Sequence, residues 1–379
     1  MTLFLITFFL LYGIMHLYVY RKAKAALSLN TSQLVSLITW ILLMVFAPFI
    51  IRYSERLGFE LVAQLMSYVG YIWMGALFLF IAVSLFIDIL RGIVYLAGKL
   101  LQQDLTVIMP AARGVFFFTI IIVLFICGYG YYEAKNIRTE KVIIETSRLS
   151  NNISRLRIVQ ISDVHLGLIV REARLKKIIN IVEDSNPDIL VSTGDLVDGQ
   201  INELDGLSDL FKVINPVYGK FAITGNHEFY AGLDQAIAFT EKSGFTLLRG
   251  KAVNINGVIN IAGVDDKTAE RYGLRVNIDE ATLLAGLDQG LFTLLLKHRP
   301  RVNEDSVGLF DLQLSGHTHK GQIFPFSLIT AMYFSQDSGF IHLQDSSSLY
   351  VSRGTGTWGP PIRFLSPPEI TIIDIVPKK

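Results

Sequence analysis

Four apolar stretches crowd the first third of the chain, and no other feature limits its folding so strongly. "TLFLITFFLLYGIMHLYVY" (2–20) has about the length that crosses a bilayer core as a helix. Further runs cover roughly 34–51, with Pro48 near its end, and roughly 61–90, the longest; the fourth is "GVFFFTIIIVLFICGYGYY" (114–132), which closes on Gly and Tyr residues suited to an interface. Nothing basic precedes the first run, and "RKAK" follows it where a signal peptide would carry small residues, so it reads as an anchor rather than a cleaved leader. The chain is 51% hydrophobic and only 18% charged, and the excess ends near residue 132. The expectation is a helical membrane region of about four spans over 1–132, a connection with a possible first strand at "KVIIETSRL" over 133–154, and a soluble domain over 155–379.

Lys and Arg near the spans bear on sidedness. Arg21, Lys22, Lys24, Arg91, Lys99 and Arg113 fall on one side of four spans, and Arg52, Arg56, Lys135, Arg138 and Lys141 on the other. This favours a multi-pass protein of the cell membrane with its soluble domain on the outer face. Asp88 and His16, at the ends of apolar runs, read as interfacial or helix-packing residues rather than as a proton path. A net charge of +1 supplies no basic field for nucleic acid. The single cysteine, Cys127, lies within an apolar run and offers neither a disulfide nor a thiolate metal site.

Beyond the membrane region, short apolar runs each end in a polar cluster. "RLRIVQIS" (155–162) runs into "DVH", "DILVSTG" (188–194) into "DLVD", and "KFAIT" (220–224) into "GNHE". "LFTLLL" (291–296) runs into "KHRP", and "DLQLS" (311–315) into "GHTH". Helical patterns such as "REARLKKIINIVEDS" (171–185) lie between them, which predicts an α/β sheet whose strand ends converge on one crevice. The clusters contain Asp163, His165, Asp195, Asp198, Asn226, His227, His298, His317 and His319, five of the seven histidines in the chain. Imidazole and carboxylate donors without thiolate suit manganese, iron or zinc. They are too many for one tetrahedral ion, and a bridged pair of metals accounts for them better.

The ordered set "DVH", "GDLVD", "GNHE", a later lone His and "GHTH" resembles the calcineurin-like metallophosphoesterase superfamily. The ending "SRGTGTWGPPIRFLSPPEITII" resembles the closing segment of a membrane-associated bacterial branch of it. The likeness covers roughly 155–376 and none of the apolar runs. It implies a four-layer α/β sandwich and a metal-dependent phosphoester hydrolase with two divalent cations, manganese favoured. By that resemblance Asp163, His165 and His319 hold one metal, Asn226, His298 and His317 the other, and Asp195 bridges them. A hydroxide shared by the metals attacks phosphorus, while His227, oriented by Asp198, protonates the leaving oxygen. Lys320 departs from the Gly that members of this branch often carry after "GHTH".

Several readings stay open at this stage. Asp198 is either the partner of His227 or a loop cap, and Glu228 has no assigned role. Arg299 either contacts phosphate or faces solvent, the second being preferred; Asp265 and Asp266 read as a turn, and His342 as structural. The segment "IFPFSLITAMYF" (323–334) either meets lipid chains or packs in the core. The ligands do not choose among monoesters, diesters and pyrophosphates, although anchoring makes a lipid-borne substrate an option beside a phosphorylated small molecule. A non-catalytic scaffold or sensor domain is the alternative. Lost ligands or charges paired within the spans would mark it, and the sequence displays neither.

Overall fold

The computed structural model describes residues 2–149, 152–199, 204, 206–274 and 279–378. Two compact units result, Met1–Tyr131 with Gly359–Ile362, and Tyr132–Trp358 with Arg363–Lys379. In the first, the apolar runs form helices α1 (Thr2–Ala26), α2 (Thr31–Arg56), α3 (Glu60–Leu101) and α4 (Ala112–Lys135). Asn30 starts α2 with a capping box, its side chain accepting from Gln33 N while Gln33 reaches back to Asn30 N. Ala47 and Ile51 of α2 and Ala63, Ser67 and Gly70 of α3 are buried, a seam of mostly small residues that brings two helices close. Phe46 and Phe49, Phe86 and Ile89, and Leu124 and Phe125 point outward, a surface suited to lipid rather than water.

Among the described residues, three segments are long and apolar enough to cross a membrane, Thr31–Arg56, Glu60–Leu101 and Leu105–Lys135, against the four expected. The sequence reading also missed how the polar residues of these helices pair. Asp88 of α3 accepts from Lys22 and from Tyr18 of α1, and buried His16 accepts from Trp73 Nε1 at 2.9 Å. The ion pair joins residues 66 positions apart, and so neither apolar run displays it alone.

The second unit holds two six-stranded sheets. One runs β1 (Arg138–Thr146), β12 (Glu369–Pro377), β2 (Leu156–Ile161), β3 (Ile189–Ser192), β4 (Lys220–Ala222) and β5 (Thr246–Leu247). The other runs β10 (Gly339–His342), β11 (Ser348–Val351), β9 (Leu312–Ser315), β8 (Thr293–Leu296), β7 (Ile259–Gly263) and β6 (Lys251–Ile255). Parallel pairing links β2 to β3 and β4, and β7 to β8 and β9. The expected first strand forms, but it opens three residues earlier than "KVIIETSRL" and ends at Thr146.

Alternation along each strand divides the core. Ile158, Val191 and Phe221 meet Ile261, Leu294 and Leu312 between the sheets. On the outer face of the first sheet, Val159, Ile161 and Leu190 pack on Leu175, Ile178 and Val182 of α5 (Glu172–Asp184). Leu295 and Ala262 pack on Leu284 and Phe310 outside the second. The result is a four-layer helix–sheet–sheet–helix sandwich, with parallel strands of both sheets delivering the loops that follow them to one edge. At that edge buried Gln160 of β2 donates to Thr193 Oγ1 and to the carbonyl of Ser315, so it ties the sheets together.

Candidate metal centre

Each polar cluster emerges from a strand end. Asp163 and His165 follow β2, Asp195 follows β3, His298 follows β8, and His317 and His319 follow β9; Asn226 and His227 open the short helix Asn226–Ala231 after β4. Asp163, His165, Asp195, His317 and His319 all sit at left-handed φ, between 47° and 71°, where residues other than glycine are uncommon. The chain turns sharply at each, which swings the side chain into the crevice. Two glycines make room. A Cβ on Gly225 would lie 2.2 Å from Asp195 Oδ1, and one on Gly316 would lie 2.1 Å from Asp163 Oδ2.

The side chains meet in overlapping groups, Asp163–His165–His319, Asp195–His298–His317 and His165–Asp195–His227, with donor atoms in each within 4.8 Å of one another. His165 Nε2 lies 3.1 Å from His319 Nε2, and His317 Nδ1 lies 3.1 Å from His298 Nε2. Asp195 Oδ2 stands between the two pairs, 3.3 Å from His298 Nε2 and 3.8 Å from His165 Nε2.

The donor set fits divalent cations. His298 donates Nδ1–H to the carbonyl of Thr193 at 2.8 Å, which turns Nε2 toward the crevice and Asp195. Asn226 Oδ1 and His165 Nδ1 are buried without a hydrogen-bond partner, a costly state for polar atoms. Burial and neighbouring cationic groups push His165 down to about 4 and His317 down to about 3, and hold His319 well below its usual range, so these rings are neutral and able to ligate. His298 instead is pushed up to about 10: burial opposes its charge, but the Asp195 and Asp163 carboxylates outweigh it. The cluster thus draws a positive charge toward its carboxylates.

His227 stands at the rim. Its Nδ1 lies 2.9 Å from Asp198 Oδ1 and its backbone N–H donates to Asp195 Oδ1 at 2.8 Å. Burial works against its charge, yet Asp195 and Asp198 push its pKa up to about 9, the reverse of His165, His317 and His319. Asp198 also accepts from Gly199 N at 2.9 Å.

Other residues take positions that the sequence left open. Glu228 Oε2 accepts from Gly225 N and Asp195 N at 2.6 and 3.0 Å, and Oε1 accepts from Leu196 N at 2.8 Å and Val197 N at 3.4 Å. It clamps the loop after β3 to the loop after β4. Arg299 does not extend into open solvent but pairs with buried Asp266 at 2.6 Å. Asp265 is held by Arg249, so the acidic pair does more than make a turn. His342, exposed on β10, lies against Phe340.

Arg363 was missed altogether. It is fully buried, with Nη2 2.9 Å from His319 Nδ1 and hydrogen bonds to the carbonyls of Arg353 and Gly356. Its only sequence signal was an arginine inside the Pro-rich, otherwise uncharged "GPPIRFLSPP".

Comparison with known proteins bears on this arrangement. The family profile described as Calcineurin-like phosphoesterase matches residues 156–321. A metallophosphoesterase of Aquifex aeolicus is 43% identical over 249 residues, 65% of this chain and 95% of the relative. A metallophosphoesterase of Bacillus subtilis is 33% identical over 65% of this chain and 90% of its own length. A Danio rerio transmembrane protein with metallophosphoesterase domain is 30% identical over 77% of this chain and 70% of its own.

Proposed function

Because the chain belongs to the calcineurin-like phosphoesterase family and is a metal-dependent phosphoester hydrolase, we propose that Asp163, His165, Asp195, Asn226, His298, His317 and His319 hold two divalent cations at its centre. The observation carrying this reading is Asp195 Oδ2 between two groups of imidazoles, with His227 beside them. Bound there, such cations supply activation of a water nucleophile and neutralisation of phosphoryl charge. Mixed nitrogen and oxygen donors suit manganese, iron or zinc, and manganese is our first choice.

His227 supplies the proton. Its raised pKa keeps the ring cationic at neutral pH, and Asp198 holds Nδ1 so that Nε2–H is the donor. Proton transfer from Nε2 to the leaving oxygen neutralises the alkoxide or phosphate that departs, and Asp198 favours the charged ring until then. Asp195 fixes the other end of this unit by accepting the His227 amide.

The substrate is a phosphate ester or pyrophosphate at a membrane, such as a lipid-linked phosphate. The support is a catalytic unit on a chain with helices long and apolar enough to cross a membrane. The balance of Lys and Arg around the spans supports an outward-facing catalytic unit.

The test uses the full chain in nanodiscs, stripped of metal, refilled with manganese and assayed on p-nitrophenyl phosphate and bis-p-nitrophenyl phosphate. Asp195→Asn abolishes turnover and lowers the metal bound per chain. Wild-type rate and wild-type metal content in Asp195→Asn would overturn the assignment.

A further inference from the structure

The segment left open between core packing and lipid contact forms a helix, Phe326–Tyr333, whose side chains mostly face outward. Met332 is 88% exposed, Tyr333 64%, Leu328 58% and Ile329 56%, and only Thr330 is buried. Both ends are anchored. Ile323 before the helix is buried and bridges to Phe364, while Phe334 after it is buried with its ring 5.8 Å from that of His317. Trp358, itself half exposed, joins the same surface: Gln322 donates to its carbonyl and accepts from its N–H, and its ring lies 6.3 Å from that of His227. An apolar lip therefore borders the candidate metal centre along the side of His227 and His317.

Leaving such side chains in water forgoes the stabilisation that burial would give each of them. Elsewhere on this unit the large exposed apolar residues are scattered, as Val213, Val217 and Ile341 are. The lip instead gathers aliphatic residues at its centre and aromatic ones at its margin. No acidic residue occurs from Leu312 to Gln336, and Arg301 lies 5.2 Å from the Tyr333 ring, with Lys320 just ahead of the helix. Apolar centre, aromatic margin and cationic edge together suit the boundary between acyl chains and anionic headgroups. The same chain carries helices long and apolar enough to cross a membrane, and only Asn136 and Ile137 separate the end of α4 from β1 of the catalytic unit. A bilayer is thus the apolar phase to which this unit is tethered.

We propose that the helix Phe326–Tyr333, with Trp358, beds in the bilayer boundary and presents the metal centre to phosphates at headgroup level. The docking stands on the geometry of the lip alone; presentation of substrate rests on the function proposed above.

The full-length protein carrying Cys127→Ala and Met332→Cys is labelled with an environment-sensitive fluorophore. It is reconstituted at one copy per nanodisc in phosphatidylcholine with phosphatidylglycerol, with or without brominated acyl chains. Val217→Cys, labelled likewise on an 81% exposed residue, is the control. The label at position 332 emits at shorter wavelength than the control and is quenched several-fold more strongly by brominated lipid. Adding Leu328→Asp and Ile329→Asp returns both readings to the control value while the melting temperature holds. Emission and quenching equal to the control overturn the proposal. So does a blue shift that appears only with two copies per disc, which assigns the face to a second chain. No reading depends on turnover, so an inactive protein still decides the docking question, and failed docking leaves hydrolysis standing.

Discussion

Replacing Glu228 by Gln changes one oxygen to an amide nitrogen and leaves every expected metal ligand in place. The carboxylate now receives four backbone amides, two on each oxygen. A Gln side chain offers one acceptor, so two of those N–H groups face its NH₂, whichever way it turns. Either the Gly225 and Asp195 amides lose their partner or the Leu196 and Val197 amides do. At about 1–3 kcal/mol for each buried donor left unsatisfied, the cost is about 2–6 kcal/mol. For a catalytic unit of this size that lowers the melting temperature by about 4–24 °C. The same loops carry Asp195 and Asn226, so manganese affinity falls with stability. Thermal unfolding of the full chain in detergent, followed by near-ultraviolet circular dichroism, and calorimetric manganese titration measure both. Glu241→Gln, on an exposed helix position, serves as the control and shifts stability by less than about 0.5 kcal/mol. If Glu228→Gln melts and binds manganese as wild type does, the clamp has been misread.

Three further outcomes follow from the same geometry. His227→Ala lowers kcat by about 10²–10⁴-fold on esters with poor leaving groups, but far less on p-nitrophenyl esters, whose leaving oxygen needs no proton; unchanged bound manganese separates this from ligand loss. Arg363→Lys gives up the planar fork behind His319 and weakens manganese binding by about 10–100-fold, read by competition with a fluorescent chelator. Lys320→Gly relieves a left-handed residue at φ 49° and raises stability by about 1 kcal/mol, with metal affinity unchanged in a paired melting and titration experiment.

The strand ends were legible because two local signals coincide there. An apolar run such as "DILVS" announces a buried strand, and the polar cluster close behind it announces a turn that carries chemistry. Five repeats of that pattern were enough to place Asp163, Asp195, His227, His298 and His317 at neighbouring strand ends. What escaped depends on partners far away in sequence. Arg363 makes sense only once His319, 44 positions earlier, is beside it, and Lys22 only once Asp88 is. Glu228 could not be assigned from the sequence because its amide partners on the β3 loop are more than 30 positions away. The segment 323–334 shows the limit from the other side: composition measures apolarity but not the direction in which a helix presents it.

The left-handed backbone at Asp163, His165, Asp195, His317 and His319 also says something about descent. Each such residue gives up about 1–2 kcal/mol that glycine would keep. A copy of this gene released from the need for catalysis would therefore gain backbone stability by drifting toward glycine or asparagine at these five positions. Decay of the centre runs downhill, whereas its retention runs against the local preference of the chain. The fold alone gives no reason for side chains at these five positions, so their backbone cost is carried for what they do in the crevice.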